Sequence, residues 1–75
     1  MINLAALITE RLASGVLPNV TPRSRWAGYG RSSTCDGCDL PIRADQIEDE
    51  FDFADDRRIR LHRDCANEWA GQTSN

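Results

Sequence analysis

Three cysteines and one histidine stand in two short pairs, Cys35-x2-Cys38 and His62-x2-Cys65, separated by 23 residues, and they are every cysteine and the only histidine in the chain. Each pair can present two soft or borderline donors from one tight turn. That is what a tetrahedral Zn²⁺ site requires, because each pair can bite the ion from one side. The fold is therefore constrained to bring a CxxC knuckle and an HxxC element to one point, and the expected cofactor is a single structural zinc ion held by Cys35, Cys38, His62 and Cys65.

Other uses of the same residues fit less well. Three cysteines cannot complete a disulfide framework, which argues for a reducing compartment. A redox CxxC opens a helix after a buried strand. Here Cys35-Asp36-Gly37-Cys38 follows Arg-Ser-Ser-Thr and precedes Asp39-Leu40-Pro41, so neither flank is of that kind. Length adds weight to the metal. Seventy-five residues make one domain, and below about 80 residues a hydrophobic core alone rarely supplies more than ~3–5 kcal/mol. Structural zinc in small peptides is worth about 10–16 kcal/mol at neutral pH, so the metal-free ligand-bearing part should be largely unfolded.

Charge is segregated along the chain. Four Arg and one Glu precede Cys35, nine acids and one Arg occupy residues 35 to 56, and four Arg and two acids follow, for a net charge of −3. Zinc adds two charges while three thiols lose three protons, which places the metallated chain at about −4. Such a chain lacks the overall basic field of a nonspecific nucleic-acid binder. The opening Met-Ile-Asn-Leu-Ala-Ala-Leu-Ile has no basic region before it and is interrupted by Glu10 and Arg11. It is neither a secretory signal nor a membrane span of about 20 apolar residues, so a soluble cytoplasmic protein is expected.

The elements follow from periodicity. Leu4, Leu7, Ile8 and Leu12 recur at helical spacing, with Asn3 as N-cap and Gly15 just past the end, which predicts a helix over residues 3 to 14 whose apolar stripe covers the zinc module. Residues 15 to 34 contain Pro18, Pro22, Gly28 and Gly30 with no clear period and read as a long connecting loop. In this loop Trp26 and Tyr29 are expected to pack on the module as a lid while the arginines answer the acidic segment. Ile47, Phe51 and Phe53 alternate with Glu48, Glu50 and Asp52, with Asp49 breaking the apolar face. After an Ala54–Arg57 turn, Ile59 and Leu61 alternate with Arg58 and Arg60, so the acidic face of one strand meets the basic face of the next in a β-hairpin. His62 to Ala70 reads as a short helix that Gly71 stops, with His62 and Cys65 facing one way from its first turn and Trp69 turned inward onto Phe51, Phe53, Ile59 and Leu61. The expected architecture is thus a small α+β zinc domain spanning 1–75: N-terminal helix 1–14, Arg/Trp/Gly loop 15–34, zinc module 35–71 and mobile tail 72–75.

Knuckle, hairpin and a helix donating the last ligands form a treble-clef-like order. The spacing C-x2-C-x23-H-x2-C over residues 35 to 69 resembles the first zinc site of LIM domains, without their second site, and more loosely the CCHC fingers of poly(ADP-ribose) polymerases. Over most of its length the chain resembles a group of short bacterial zinc-binding proteins of unknown function, through Leu17-Pro18, Arg25-Trp26, Gly28 and Gly30 ahead of CxxC, then Pro41-Ile42, an acidic strand, HxxC and Trp69. The resemblance implies a zinc-dependent small domain and brings no activity with it.

Two function classes follow. The first is a noncatalytic, zinc-stabilised interaction or regulatory module with a protein partner, docking through the acidic hairpin, the Arg/Trp loop or the N-terminal helix. The second is a nucleic-acid-binding or transcription-associated zinc finger using Arg23, Arg25, Trp26, Tyr29 and Arg31, where arginines grip phosphates and aromatics stack bases. Catalysis is not expected. Four strong ligands close the coordination sphere, and no cysteine or histidine is left over as nucleophile or base.

Overall fold

The computed structural model describes residues 3–73, with the elements α1 (Leu4–Ala13), β1 (Ser24–Tyr29), β2 (Ile47–Asp52), β3 (Arg58–His62) and α2 (Arg63–Thr73). The three strands form one antiparallel sheet in the order β1-β2-β3, in a small α+β arrangement. No described helix is long and apolar enough to cross a membrane.

The first helix starts and stops where its caps dictate. The Asn3 side chain accepts hydrogen bonds from the amides of Ala5 (2.8 Å) and Ala6 (3.4 Å), which otherwise lack partners in a first turn. Gly15 follows at φ +81°, the left-handed conformation that ends a helix at little cost for glycine. Arg57 then fixes the exit, its guanidinium donating to the carbonyls of Gly15 (3.0 Å) and Val16 (2.6 Å).

The period-two pattern of β2 and β3 forms the expected hairpin, with Phe51 opposite Ile59, Asp49 opposite Leu61 and Glu50 opposite Arg60. The inner face meets α2: Trp69 is buried, with its ring centroid 4.8 Å from that of Phe51 and 6.1 Å from that of Phe53. Each such buried aromatic or aliphatic side chain contributes roughly 1.5–3 kcal/mol. The indole N–H, which could not be buried unpaired, donates to the Pro18 carbonyl at 2.8 Å. Ile8 from α1 and Leu17 from the segment after it complete the core with Ile42 and Leu61.

Three expectations are corrected. Residues 15–34 are not a loop throughout: Ser24–Tyr29 form β1, paired along β2 from Ser24 opposite Asp52 to Tyr29 opposite Ile47, so the hairpin becomes a three-stranded sheet. Trp26 and Tyr29 are not a lid but stand 51% and 72% exposed, because α2 reaches β2 and β3, α1 packs on α2, and, among the elements, β1 touches β2 alone. Gly71 does not end α2, which runs on to Thr73, and Gln72 is no tail residue: it donates to the Ala5 carbonyl (2.9 Å) and accepts from the Thr9 hydroxyl (2.8 Å). Those two bonds tie the helices together and outweigh the ~1 kcal/mol that an internal glycine costs a helix. The rest of the expected tail, residues 74 and 75, lies outside the described residues.

Candidate metal centre

The knuckle is built by backbone geometry around Cys35. The Cys35 amide donates to the Leu40 carbonyl, and the Asp39 amide to the Cys35 carbonyl, both at 2.9 Å, while Asp39 takes a positive φ of 66° to turn the chain back. An isolated bridge between Thr34 and Pro41 closes the base of this turn. Gly37 is closely packed, since a Cβ there would lie 3.1 Å from both Cys65 Cβ and Ile8 Cδ1, tighter than an ordinary contact. The other pair comes from the junction of β3 and α2. His62 is the last residue of β3, not a helical residue as its spacing suggested, and Cys65 is the third residue of α2.

The fold brings all four expected ligands together, with their donor atoms within 4.8 Å of one another. A tetrahedral ion with Zn–S bonds of ~2.3 Å needs donors ~3.7 Å apart, so one metal ion fits at their centre. Cys38 Sγ and His62 Nδ1 are 3.3 Å apart. The other imidazole nitrogen, Nε2, lies 3.1 Å from the Pro41 carbonyl oxygen, which can only accept. Nε2 is therefore the protonated nitrogen, and the Nδ1 lone pair faces the thiols. This is the orientation that a backbone carbonyl imposes on a metal-ligating histidine.

The electrostatics call for a cation. The Cys35 thiol is pulled down to about 4 by a hydrogen bond from the Cys65 thiol and by the amides of His62, Gly37 and Cys38. The Cys65 thiol is pushed up by its bond to Cys35 and by burial, and burial pushes Cys38 up as well. Three thiols at one point cannot all release their protons next to one another unless a positive ion neutralises them. The donor set of three sulfurs and one imidazole suits zinc, which takes such ligands in a closed tetrahedron.

The other proposed binding residues come together only in part: Trp26, Tyr29 and Arg31 border one concavity beside β1, whereas Arg23 and Arg25 do not. Arg23 pairs with Asp52 at 2.6 Å and holds that carboxyl below its usual range. Arg25 pairs with Asp49 at 3.3 Å and lies 5.1 Å from the Phe51 ring centroid. Trp26 and Tyr29 are three apart on a strand, so they project from opposite faces of the sheet and cannot make one stacking platform. Arg58 lies over the Trp26 ring at 6.0 Å. Arg31 follows β1 and is exposed.

One residue of structural consequence escaped the sequence reading. Asp49, the break in the apolar face of β2, is fully buried and is held by Arg63 at 2.7 and 3.2 Å and by Arg25 at 3.3 Å. The signal was present in the pattern: a carboxylate at a core-facing position needs a cation beside it. No family model, curated protein or solved structure matches the chain.

Proposed function

We propose that this chain is a noncatalytic interaction module whose shape is held by one structural zinc ion in a treble-clef-like setting, in keeping with the resemblance to short bacterial zinc-binding proteins. The observation that carries this reading is the convergence of Cys35, Cys38, His62 and Cys65 with their donor atoms within 4.8 Å of one another. Four protein ligands fill a tetrahedral sphere and leave no open position for water or substrate. They also consume every thiol and imidazole in the chain, so no such group remains as nucleophile or general base. What is left for function is surface, and the exposed aromatics Trp26 and Tyr29 mark β1 as its most apolar exposed strand.

Metal analysis of the purified chain is expected to give one zinc per molecule, and cobalt substitution should give the intense visible bands of a tetrahedral thiolate site. A well-folded, metal-free protein at neutral pH would sink the reading. The nucleic-acid reading draws less support, since Arg23 and Arg25 are engaged by carboxylates and the two aromatics diverge. It would require affinity that drops steeply between low and moderate salt as phosphate contacts release counterions.

A further inference from the structure

The two edges of the sheet are not alike. In an antiparallel ladder, alternate residues of a strand point their main-chain N–H and C=O to opposite sides. The Gly30 amide donates to the Gln46 carbonyl (2.9 Å), which continues the β1–β2 register and sets the even-numbered residues of β1 toward β2. The Phe53 amide donates to the Arg57 carbonyl (2.9 Å), so the odd-numbered residues of β2 face β3 and the even-numbered residues of β3 face outward. That outer edge of β3 is closed by the metal knuckle. The Asp36 amide donates to the Arg60 carbonyl (2.9 Å), the Asp36 carboxylate accepts from the Arg60 amide (2.8 Å), and the His62 amide points at Cys35 Sγ (3.4 Å).

The outer edge of β1 has nothing comparable. The main-chain groups of Arg25, Ala27 and Tyr29 point away from β2, and among the described residues none of them has a hydrogen-bond partner. All three residues are exposed, and Ser24–Tyr29 contains no proline or lysine of the kind that commonly blunts such an edge.

We propose that a second copy of this chain pairs along β1, antiparallel about a twofold axis at Ala27, and joins the two sheets into one of six strands. The inference names the partner of the interaction module proposed above and rests on that reading for its metal-held fold. What selects a second copy is that the strand complements itself. Outward-facing residues must pair with outward-facing residues, so odd numbers oppose odd. Centred on Ala27, Arg25 lies opposite Tyr29 and Trp26 opposite Gly28, each twice by symmetry. A Cβ at Gly28 would meet nothing within 4 Å, so its surface is open to receive an indole, and an aromatic across from a glycine is a favourable pairing on a sheet. On the other face Arg25, whose guanidinium is held over Phe51 by Asp49, offers its aliphatic stem to the Tyr29 ring opposite. Sliding the register by two residues in either direction loses both matches, setting Trp26 against Trp26 or Gly28 against Gly28.

The test is sedimentation equilibrium of the zinc-loaded chain over a range of concentrations, with the cobalt spectrum of each variant as a separate readout of the metal-held fold. The wild type should show a reversible monomer–dimer equilibrium. The Ala27 N–H points away from β2, so Ala27→Pro removes only donors of the proposed pairing and spares the β1–β2 ladder. It should be monomeric throughout with an unchanged cobalt spectrum. Trp26→Ala, at an exposed position, should weaken the dimer by about tenfold or more. A wild-type chain that stays monomeric overturns the proposal, including the case in which it instead takes up an extended peptide of another protein, and so does an Ala27→Pro variant that dimerises as well as wild type. A chain that takes up no cobalt yet dimerises through β1 would remove the metal reading and leave the pairing standing.

Discussion

Asp49 combines a buried charge with a location in the middle of the sheet, and its energetics follow from who can reach water. Its carboxylate is fully enclosed, whereas the side chains of Arg63 and Arg25 remain 47% and 58% exposed. Replacing the carboxylate by an amide leaves both arginines free to hydrate, so the loss is that of the charge-assisted hydrogen bonds alone. Asp49→Asn is expected to cost about 2 kcal/mol in urea unfolding at fixed zinc. A change near zero would mean that the arginines find water as good a partner as the carboxylate. Sequence reasoning saw Asp49 only as an interruption. Alternation says which face a residue is on, but not which cations arrive from β1 and α2 to meet it.

At the scale of elements, how far each could be read depended on where its stability comes from. The first helix carries its own caps in Asn3 and Gly15, and β2 and β3 carry a clear alternation, so both were readable locally. The strand Ser24–Tyr29 has a glycine, a tryptophan and an arginine in no clean order; it is a strand because β2 offers it a ladder, a nonlocal cause. Just beyond it, Gly30 shows how tightly the chain passes the returning segment. A Cβ there would lie 2.2 Å from the Arg43 carbonyl oxygen and 2.5 Å from that of Ile42, both backbone atoms that cannot swing aside. Gly30→Ala should therefore destabilise by about 2–3 kcal/mol, whereas Gly28→Ala, which meets nothing, should stay within about 1 kcal/mol of wild type. Equal effects in thermal or urea unfolding would contradict the packing described. The end of α2 was misread because a glycine is a stop signal only when nothing beyond it is worth holding, and Gln72 holds α1.

Across the whole molecule, the candidate metal site and the hydrophobic core occupy the same place. Cys35 and Cys65 are core residues beside Ile8, Leu61 and Trp69, so the knuckle, both helices and the sheet share one interior. The ligand spacing pointed to loss of structure in residues 35–69 on metal removal. The shared core predicts more: a chelator should erase the dispersed amide signals of α1 and β1 together with those of the ligand-bearing part, in a single transition. Persistence of a folded α1 after chelation would separate the two. The four ligands were legible because their chemistry is written in residue type and spacing. Ile8 joins their core as the apolar stripe of the first helix led one to expect, whereas Leu17, in a segment without periodicity, gave no sign that it does.

Asp36 and Cys35 close the far side of the sheet, and Cys35 is also a candidate ligand, so an ion bound there would have a second office. A sheet with one bare margin can join one other and then stop, since pairing consumes the only margin each copy has. On the proposed reading, chelation would release the knuckle from Arg60 and His62 in the same transition that unfolds α1 and β1, leaving both margins open at once. Addition can then continue at either end without limit, as in a fibre. On this proposal an ion held by Cys35, Cys38, His62 and Cys65 would act as a chain terminator, holding to two a process whose unterminated form is aggregation.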